Sequence, residues 1–184
     1  MDFAFEEQLS HPAARVFATI RDALPEILPL LPSVESVERE RAEAEGAARV
    51  HIVQVWQADI RDVPAVARPF VNREYLRWRD VAVWDEPSLT CTWEFHTMHF
   101  DRLYECRGVN YFEAVSPDLT RLRLTGSIDV HPERVPGVPR LLARSIRPRI
   151  EAFLVGHAEP NLRELPRAVQ SYLDARAQSV DRDP

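Results

Sequence analysis

The sequence predicts an α+β fold in which a curved antiparallel sheet of about seven strands wraps a long, kinked C-terminal helix, with two short helices after the first strand. Two observations support this fold class. From Ser33 to His131, apolar and polar residues alternate in runs that end at turn residues, which is typical of antiparallel strands. From Leu142 to Tyr172, apolar residues instead recur with a mean spacing close to the ~3.6-residue period of an α-helix.

The composition is typical of a globular protein. Of the 184 residues, 45% are hydrophobic and 28% are charged, and the net charge is −6. An acidic chain without a clustered basic face is not typical of nucleic-acid-binding proteins. The longest uncharged stretch, Val50 to Ala58, is far shorter than the ~20 apolar residues that a membrane-spanning helix needs. We therefore expect no nucleic-acid partner and no transmembrane segment.

The chain shows one level of organisation and no repeats. We expect a single domain over residues 1–176, followed by a flexible polar tail over 177–184. The first seven residues have neither the basic start nor the apolar run of a secretory signal, which predicts a cytoplasmic protein. Cys91 and Cys106 are then expected to be reduced. Five glycines in the whole chain, none in a phosphate-binding loop, predict no nucleotide cofactor, and no cofactor of another kind is indicated.

The N-terminal elements follow from local signals. Phe3, Phe5 and Leu9 alternate on one side of a strand over Asp2 to Leu9. Ser10 is the predicted N-cap of the helix that follows, and Pro12 fits its first turn. Three later prolines divide the next segment into short helical pieces: Pro25, Pro29 and Pro32.

The next segment is predicted to form a hairpin and a long connection. A turn at Glu45-Gly46 joins a strand over 34–44 to a strand over 49–59. The connection over 60–72 is apolar and rich in proline. It is either a lid over a cavity or a cluster packed on the sheet, and the sequence does not separate the two.

Three further hairpins give registers that agree with one another. A turn at 85–88 sets Asp80 opposite Trp93, and the next two turns set Trp93 opposite Gly108 and Gly108 opposite Gly126. All three registers place the tryptophans on one inward face. The reverse face then pairs opposite charges, which supports the same registers. Those pairs are Arg79 with Glu94, Glu94 with Arg107, and Glu113 with Arg121.

The order of these elements resembles the START-like, or helix-grip, superfamily, which includes polyketide cyclases and lipid-transfer domains. The resemblance covers Asp2 to Arg176. It is carried by Phe3-Ala4-Phe5 leading into residues 10–17, by the strands that contain Trp78, Trp84, Thr92-Trp93-Glu94-Phe95 and Leu122 to Ile128, and by the terminal helix. The resemblance implies an apolar cavity between the sheet and the C-terminal helix, but it does not imply a reaction.

The residues predicted to line that cavity come from the inward face of the sheet and from the inner stripe of the helix. From the sheet they are Trp78, Asp80, Trp93, Phe95, Tyr104, Gly108, Asn110, Phe112, Leu124 and Gly126. From the helix they are Ile150, Phe153, His157 and Asn161. Gly108 and Gly126 either leave room for a ligand or let the ring of Trp93 lie across them.

Asp80 is the most informative polar residue, because its register points it inward among aromatic rings. A desolvated carboxyl there would have a raised pKa and could hold a ligand or act as a general base. Alternatively, a bulge turns Asp80 to solvent or an arginine pairs with it. His157 and Asn161 could orient a ligand, or could satisfy backbone groups freed by Pro160.

Other polar clusters carry less weight. His96, His99 and His51 have no completing carboxylate, so no metal site is predicted. Prolines at 148, 160 and 166 are expected to kink the helix. Three functions follow in order: binding of an apolar or aromatic, lipid- or polyketide-like small molecule; cyclase or dehydratase chemistry with Asp80 or His157 as acid/base; and protein interaction through an Arg140, Arg144 and Arg147 face. The oligomeric state is not predicted.

Overall fold

Seven antiparallel strands form one sheet within residues 1–62, 73–98, 104–134 and 139–180, the part of the chain that the computed structural model describes, apart from the side chains of residues 62, 75, 146, 150, 153–162 and 180. The sheet order is β1-β7-β6-β5-β4-β3-β2. The strands are β1 Asp2–Leu9, β2 Val34–Glu45, β3 Arg49–Ala58, β4 Arg77–Asp85, β5 Thr90–Thr97, β6 Tyr104–Ser116 and β7 Leu119–Val130. The helices are α1 Ala13–Asp22, α2 Leu24–Ile27 and α3 Arg140–Val180. The predicted helix-grip architecture is confirmed.

The start of α1 differs from the prediction. Pro12, in an extended conformation, is the N-cap residue, and its carbonyl accepts hydrogen bonds from the backbone N–H groups of Arg15 and Val16 at 2.9 and 3.0 Å. The predicted N-cap, Ser10, is wrong. Its backbone N–H instead donates to Oε1 of Gln170 at 2.8 Å, so Ser10 ties the end of β1 to α3.

The strand registers are largely those predicted. Trp93 pairs with Gly108, and Gly108 pairs with Gly126, as expected. The β4–β5 register is shifted by two residues, so Asp80 lies opposite Phe95 instead of Trp93. The reason is that Leu89, with φ of 47°, belongs to the turn and not to β5. A shift of two keeps every side chain on its predicted face.

The same shift changes one of the three predicted charge pairs. Arg79 lies opposite His96, and its guanidinium donates to the Glu40 carboxylate of β2 at 2.9 Å, so the expected Arg79–Glu94 pair is wrong. Glu94 does lie opposite Arg107. Glu113 likewise lies opposite Arg121, with 3.7 Å between their charged groups.

The core lies between the inner face of the sheet and the helices. The C-terminal half of α3 contributes Val169 and Leu173, both fully buried against a cluster that includes Phe17 of α1. The first turn of α3 does not take part: Leu142 is 49% exposed, so its predicted place on the inner stripe is wrong. The inner stripe therefore reaches the core at the C-terminal end of the helix and not along its whole length.

Polar contacts fix α3 to the rest of the fold. The Ser33 hydroxyl donates to Glu164, and the ring of His11 lies 2.9 Å from Asp174. The α3 helix runs through all three prolines and continues to Val180, four residues beyond the predicted domain end. The predicted kinks stay a prediction. No helix in the described ranges is long and apolar enough to cross a membrane.

Candidate ligand-binding site

A cavity of about 350 Å³ lies between the inner face of the sheet and α3. Among the described residues, seven of the predicted site residues line it: Trp78, Asp80, Trp93, Phe95, Tyr104, Asn110 and Leu124. Its position follows from the pleat, because alternate residues of β4, β5 and β6 face the same side of the sheet.

Three predicted residues do not line this cavity. A Cβ on Gly108 would lie 2.3 Å from Cζ2 of Trp93, and one on Gly126 would lie 2.6 Å from Cζ of Phe3. Aromatic rings therefore fill the space that the glycines leave, which is the second of the two alternatives drawn from the sequence. Phe112 packs edge-on against Phe17, with ring centroids 5.3 Å apart, and so belongs to the closed core.

Some predictions fall outside the described part of the chain. The side chains of Ile150, Phe153, His157 and Asn161 are among these, as are residues 63–72 of the expected lid and His99. Their roles stay predictions.

The structure also brings in residues that the sequence analysis missed. Trp56 and Gln54 of β3 line the cavity, as do Leu165 and Pro166 of α3. Trp56 was missed because β3 is apolar on both faces, so its pattern does not indicate which face is inward. A signal was nevertheless present, because an antiparallel β3–β4 pairing sets Trp56 directly opposite Trp78.

Aromatic rings form the wall of the cavity at its β3–β5 side. The Trp56 and Trp78 rings are nearly parallel, with centroids 6.0 Å apart and planes 13° apart. Trp93 and Phe95 are stacked with centroids at 4.5 Å. Such a wall offers flat apolar surface, which suits an aromatic or planar ligand.

Asp80 lies on this wall without a partner. Its Oδ1 is buried, and no described residue forms a hydrogen bond or ion pair with the carboxyl. Burial raises the pKa of Asp80 from its ordinary 3.8 to about 7, and the nearby indole of Trp56 offsets only part of this. The two alternatives, a bulge that turns Asp80 to solvent and pairing with an arginine, are both wrong.

The other polar lining groups are neutral. The indole Nε1 of Trp93 donates to Oδ1 of Asn110 at 3.0 Å, so that Asn110 oxygen is already used within the protein. Burial raises the pKa of the Tyr104 phenol and of the Cys91 thiol, which keeps both protonated. Asp80 is therefore the one described lining group that can carry charge near neutral pH.

The predicted histidine cluster is not assembled. His51 contacts Glu45 at 2.9 Å, and His96 lies 3.6 Å from Glu94, both at exposed positions. Within the described ranges, no three His, Cys, Asp or Glu side chains are placed to hold a metal ion.

The predicted arginine face is smaller than expected. The guanidinium of Arg147 donates to Glu151 at 3.1 Å and also pairs with Asp129, so its charge is matched within the protein. Arg140 and Arg144 remain exposed on α3.

Comparison with known proteins places the fold. No protein-family model matches the chain, and no curated protein matches its sequence. Among solved structures, the ZhuI aromatase/cyclase of Streptomyces sp. R1128 is 17% identical, covers 96% of this chain and 95% of its own, and has a TM-score of 0.67. A protein from Thermus thermophilus is 20% identical, with 94% of this chain and 99% of that chain covered and a TM-score of 0.61.

A START superfamily protein of Mycobacterium smegmatis is 12% identical, with 95% of this chain and 97% of that chain covered and a TM-score of 0.54. At these identities the likeness concerns the fold alone. Together with the sheet order and the long terminal helix, it shows that the chain has a START-like, helix-grip fold.

Proposed function

We propose that this START-like chain binds an apolar or aromatic small molecule, lipid- or polyketide-like, in the cavity between the sheet and α3. The observation that carries the proposal is the wall of the cavity. Its described lining includes seven aromatic side chains and a single charged group, Asp80. Small-molecule sites are typically apolar clefts of roughly 300–1,000 Å³ with a few polar groups, and about 350 Å³ lies within that range.

The lining residues divide into two roles. The aromatic rings supply binding energy by burying ligand surface, at roughly 25 cal/mol per Å² of apolar area. Asp80 fixes orientation, since its Oδ1 has no partner among the described residues. Asn110 contributes less than the sequence predicts, because its oxygen already accepts from Trp93. His157 stays in the proposal as an orienting group on α3.

The likeness to solved structures supports a role of this kind. One similar structure is that of an aromatase/cyclase and another that of a START superfamily protein. These names concern those proteins, and they leave both binding and catalysis open for this chain.

Native mass spectrometry of the protein purified from its own host tests the proposal. We expect a small molecule to travel with the wild-type protein. Ala82→Leu should lower its occupancy, because Ala82 is buried and lines the cavity. Ala4→Leu is the matched control: Ala4 is exposed on β1 and does not line this cavity. Equal occupancy in both variants, with both folded, would contradict the proposal.

A second candidate is an enzyme of the cyclase or dehydratase kind. It is favoured by Asp80, whose pKa of about 7 keeps both protonation states populated near neutral pH, as a general acid or base requires. Asp80→Asn would then abolish turnover of a polyketide-like substrate while affinity stays within about tenfold. Turnover that survives this substitution would exclude Asp80 as the acid or base.

A further inference from the structure

Three polar atoms of the cavity wall have no hydrogen-bond partner among the described residues. They are Nε1 of Trp56, Nε1 of Trp78 and Oδ1 of Asp80, and each is buried. Buried donors and acceptors are almost always paired in native proteins, because an unpaired one loses its hydration without compensation. Three such atoms in one cavity therefore mark the place where a ligand's polar group belongs.

The three side chains are neighbours. Trp56 and Trp78 lie directly opposite one another on β3 and β4, and Asp80 follows Trp78 by two residues on the same face. The indole of Trp56 lies close enough to the Asp80 carboxyl to lower its pKa, although the two form no hydrogen bond. Trp93 provides a contrast within the same cavity, since its indole N–H is paired with Asn110 at 3.0 Å.

The unpaired set comprises one acceptor and two donors. A hydroxyl group has the complementary set, with one O–H donor and two acceptor lone pairs. We infer that the ligand, if it binds as proposed above, carries a single neutral hydroxyl that donates to Asp80 and accepts from the indoles of Trp56 and Trp78. The remainder of such a ligand is apolar, because the described lining away from Asp80 holds no other charged side chain.

Other polar groups match the set less well. A carboxylate would meet the Asp80 carboxyl with no described cation in the lining to compensate for burial of its charge. An ammonium would pair with Asp80 but would leave both indole donors unpaired. An ether or ketone accepts from the indoles and leaves Asp80 without a donor. When Asp80 is protonated, a ketone oxygen would face three donors with two lone pairs.

Compounds that share one ring system test this inference. We would measure binding of 2-naphthol, 2-methoxynaphthalene, 2-naphthoate and naphthalene to the full chain by isothermal titration calorimetry at pH 6.5. In the wild-type protein, 2-naphthol should bind at least tenfold more tightly than each of the other three. The methyl ether is the critical comparison, because it keeps the oxygen and the rings and removes only the donor.

Two variants assign the effect to the proposed atoms. Trp78→Phe keeps an aromatic ring and removes one donor, so it should reduce the 2-naphthol preference at least threefold while naphthalene affinity stays unchanged. Asp80→Leu should abolish the preference over the methyl ether, whereas Glu94→Leu, at an exposed position on β5, should not. The Trp78→Phe comparison keeps the inference testable if Asp80→Leu does not fold.

The outcomes separate the two proposals. If the methyl ether or naphthalene binds as tightly as 2-naphthol, the hydroxyl inference is overturned and small-molecule binding stands. If the preference survives in Trp78→Phe and Asp80→Leu, the assignment to these atoms is overturned. If none of the four compounds binds the wild-type protein, the proposed function fails and the inference fails with it.

Discussion

The ring of Trp93 occupies the space directly in front of Gly108, so that a Cβ added to Gly108 would lie 2.3 Å from Cζ2 of the indole. The two residues face each other across β5 and β6. The glycine therefore allows the large ring to lie flat against the sheet, and the position of the ring in turn allows its Nε1 to reach Asn110. One side of the cavity depends on this pair.

Gly108→Ala should destabilise the protein. The new methyl group would also lie 2.4 Å from the backbone oxygen of Thr125, and that oxygen cannot move without disturbing the β6–β7 pairing. Overpacking of this kind costs about 1–3 kcal/mol. Urea unfolding followed by circular dichroism measures the loss.

Gly46→Asn is the control for that experiment. A Cβ at position 46 meets no atom within 4 Å, and asparagine tolerates the local φ of +70°. The free energy of unfolding should stay within about 0.5 kcal/mol of wild type. Equal losses at positions 46 and 108 would show that contact with Trp93 is not the cause.

The fold was predictable from the sequence because its signals are periodic and mutually consistent. The registers of β5, β6 and β7 rest on turns and on matched charges such as Glu113 with Arg121, and they are confirmed. The β4–β5 register was off by two because the length of a turn depends on one backbone angle at Leu89. Propensity does not predict a positive φ for leucine.

The site was predictable only in part, because a cavity depends on how side chains pack in three dimensions. Asp80 was found because alternation alone assigns its face. Trp56 was missed because Val53 and Val55, on the other face of β3, are as buried as its own neighbours. The pattern along β3 therefore carries no information about which face meets the cavity.

Truncation of a buried leucine in α3 should show where the helix is held. Leu173 is 2% exposed and packs in the core, so Leu173→Ala should cost about 2–5 kcal/mol. Leu141→Ala is its counterpart at the other end of the same helix. Leu141 is 83% exposed, and the change there should stay within about 0.5 kcal/mol. Similar losses at both positions in urea titrations would contradict the packing described above.

The two cysteines should resist alkylation in the folded protein. Burial raises the pKa of the Cys106 thiol to about 12 and that of Cys91 well above its usual range, so very little thiolate exists at pH 8. We expect iodoacetamide to label neither residue at pH 8 until denaturant is added, when both should react. Mass spectrometry of timed samples checks this. Rapid labelling of Cys91 before unfolding would place it in a more open environment than the structure does.

Asp80 should make the protein less stable as the pH rises from about 4 to 7. The folded chain keeps the Asp80 proton up to its raised pKa of about 7, whereas the unfolded chain releases it near 4. Between these values the folded state binds more protons than the unfolded state, so the free energy of unfolding falls with pH. The slope contributed by this one group approaches about 1.4 kcal/mol per pH unit, and the contribution is constant above pH 7.

Asp80→Asn isolates that contribution, because the other titrating groups are the same in both proteins and cancel in the difference. We expect the stability of Asp80→Asn relative to wild type to increase between pH 4 and 7 and then to level off. Urea unfolding of both proteins at pH 4, 5, 6, 7 and 8 gives the curve. A difference that does not change with pH would mean that Asp80 is ionised throughout, and a carboxyl ionised at pH 4 would require a cationic or hydrogen-bonding partner for Asp80.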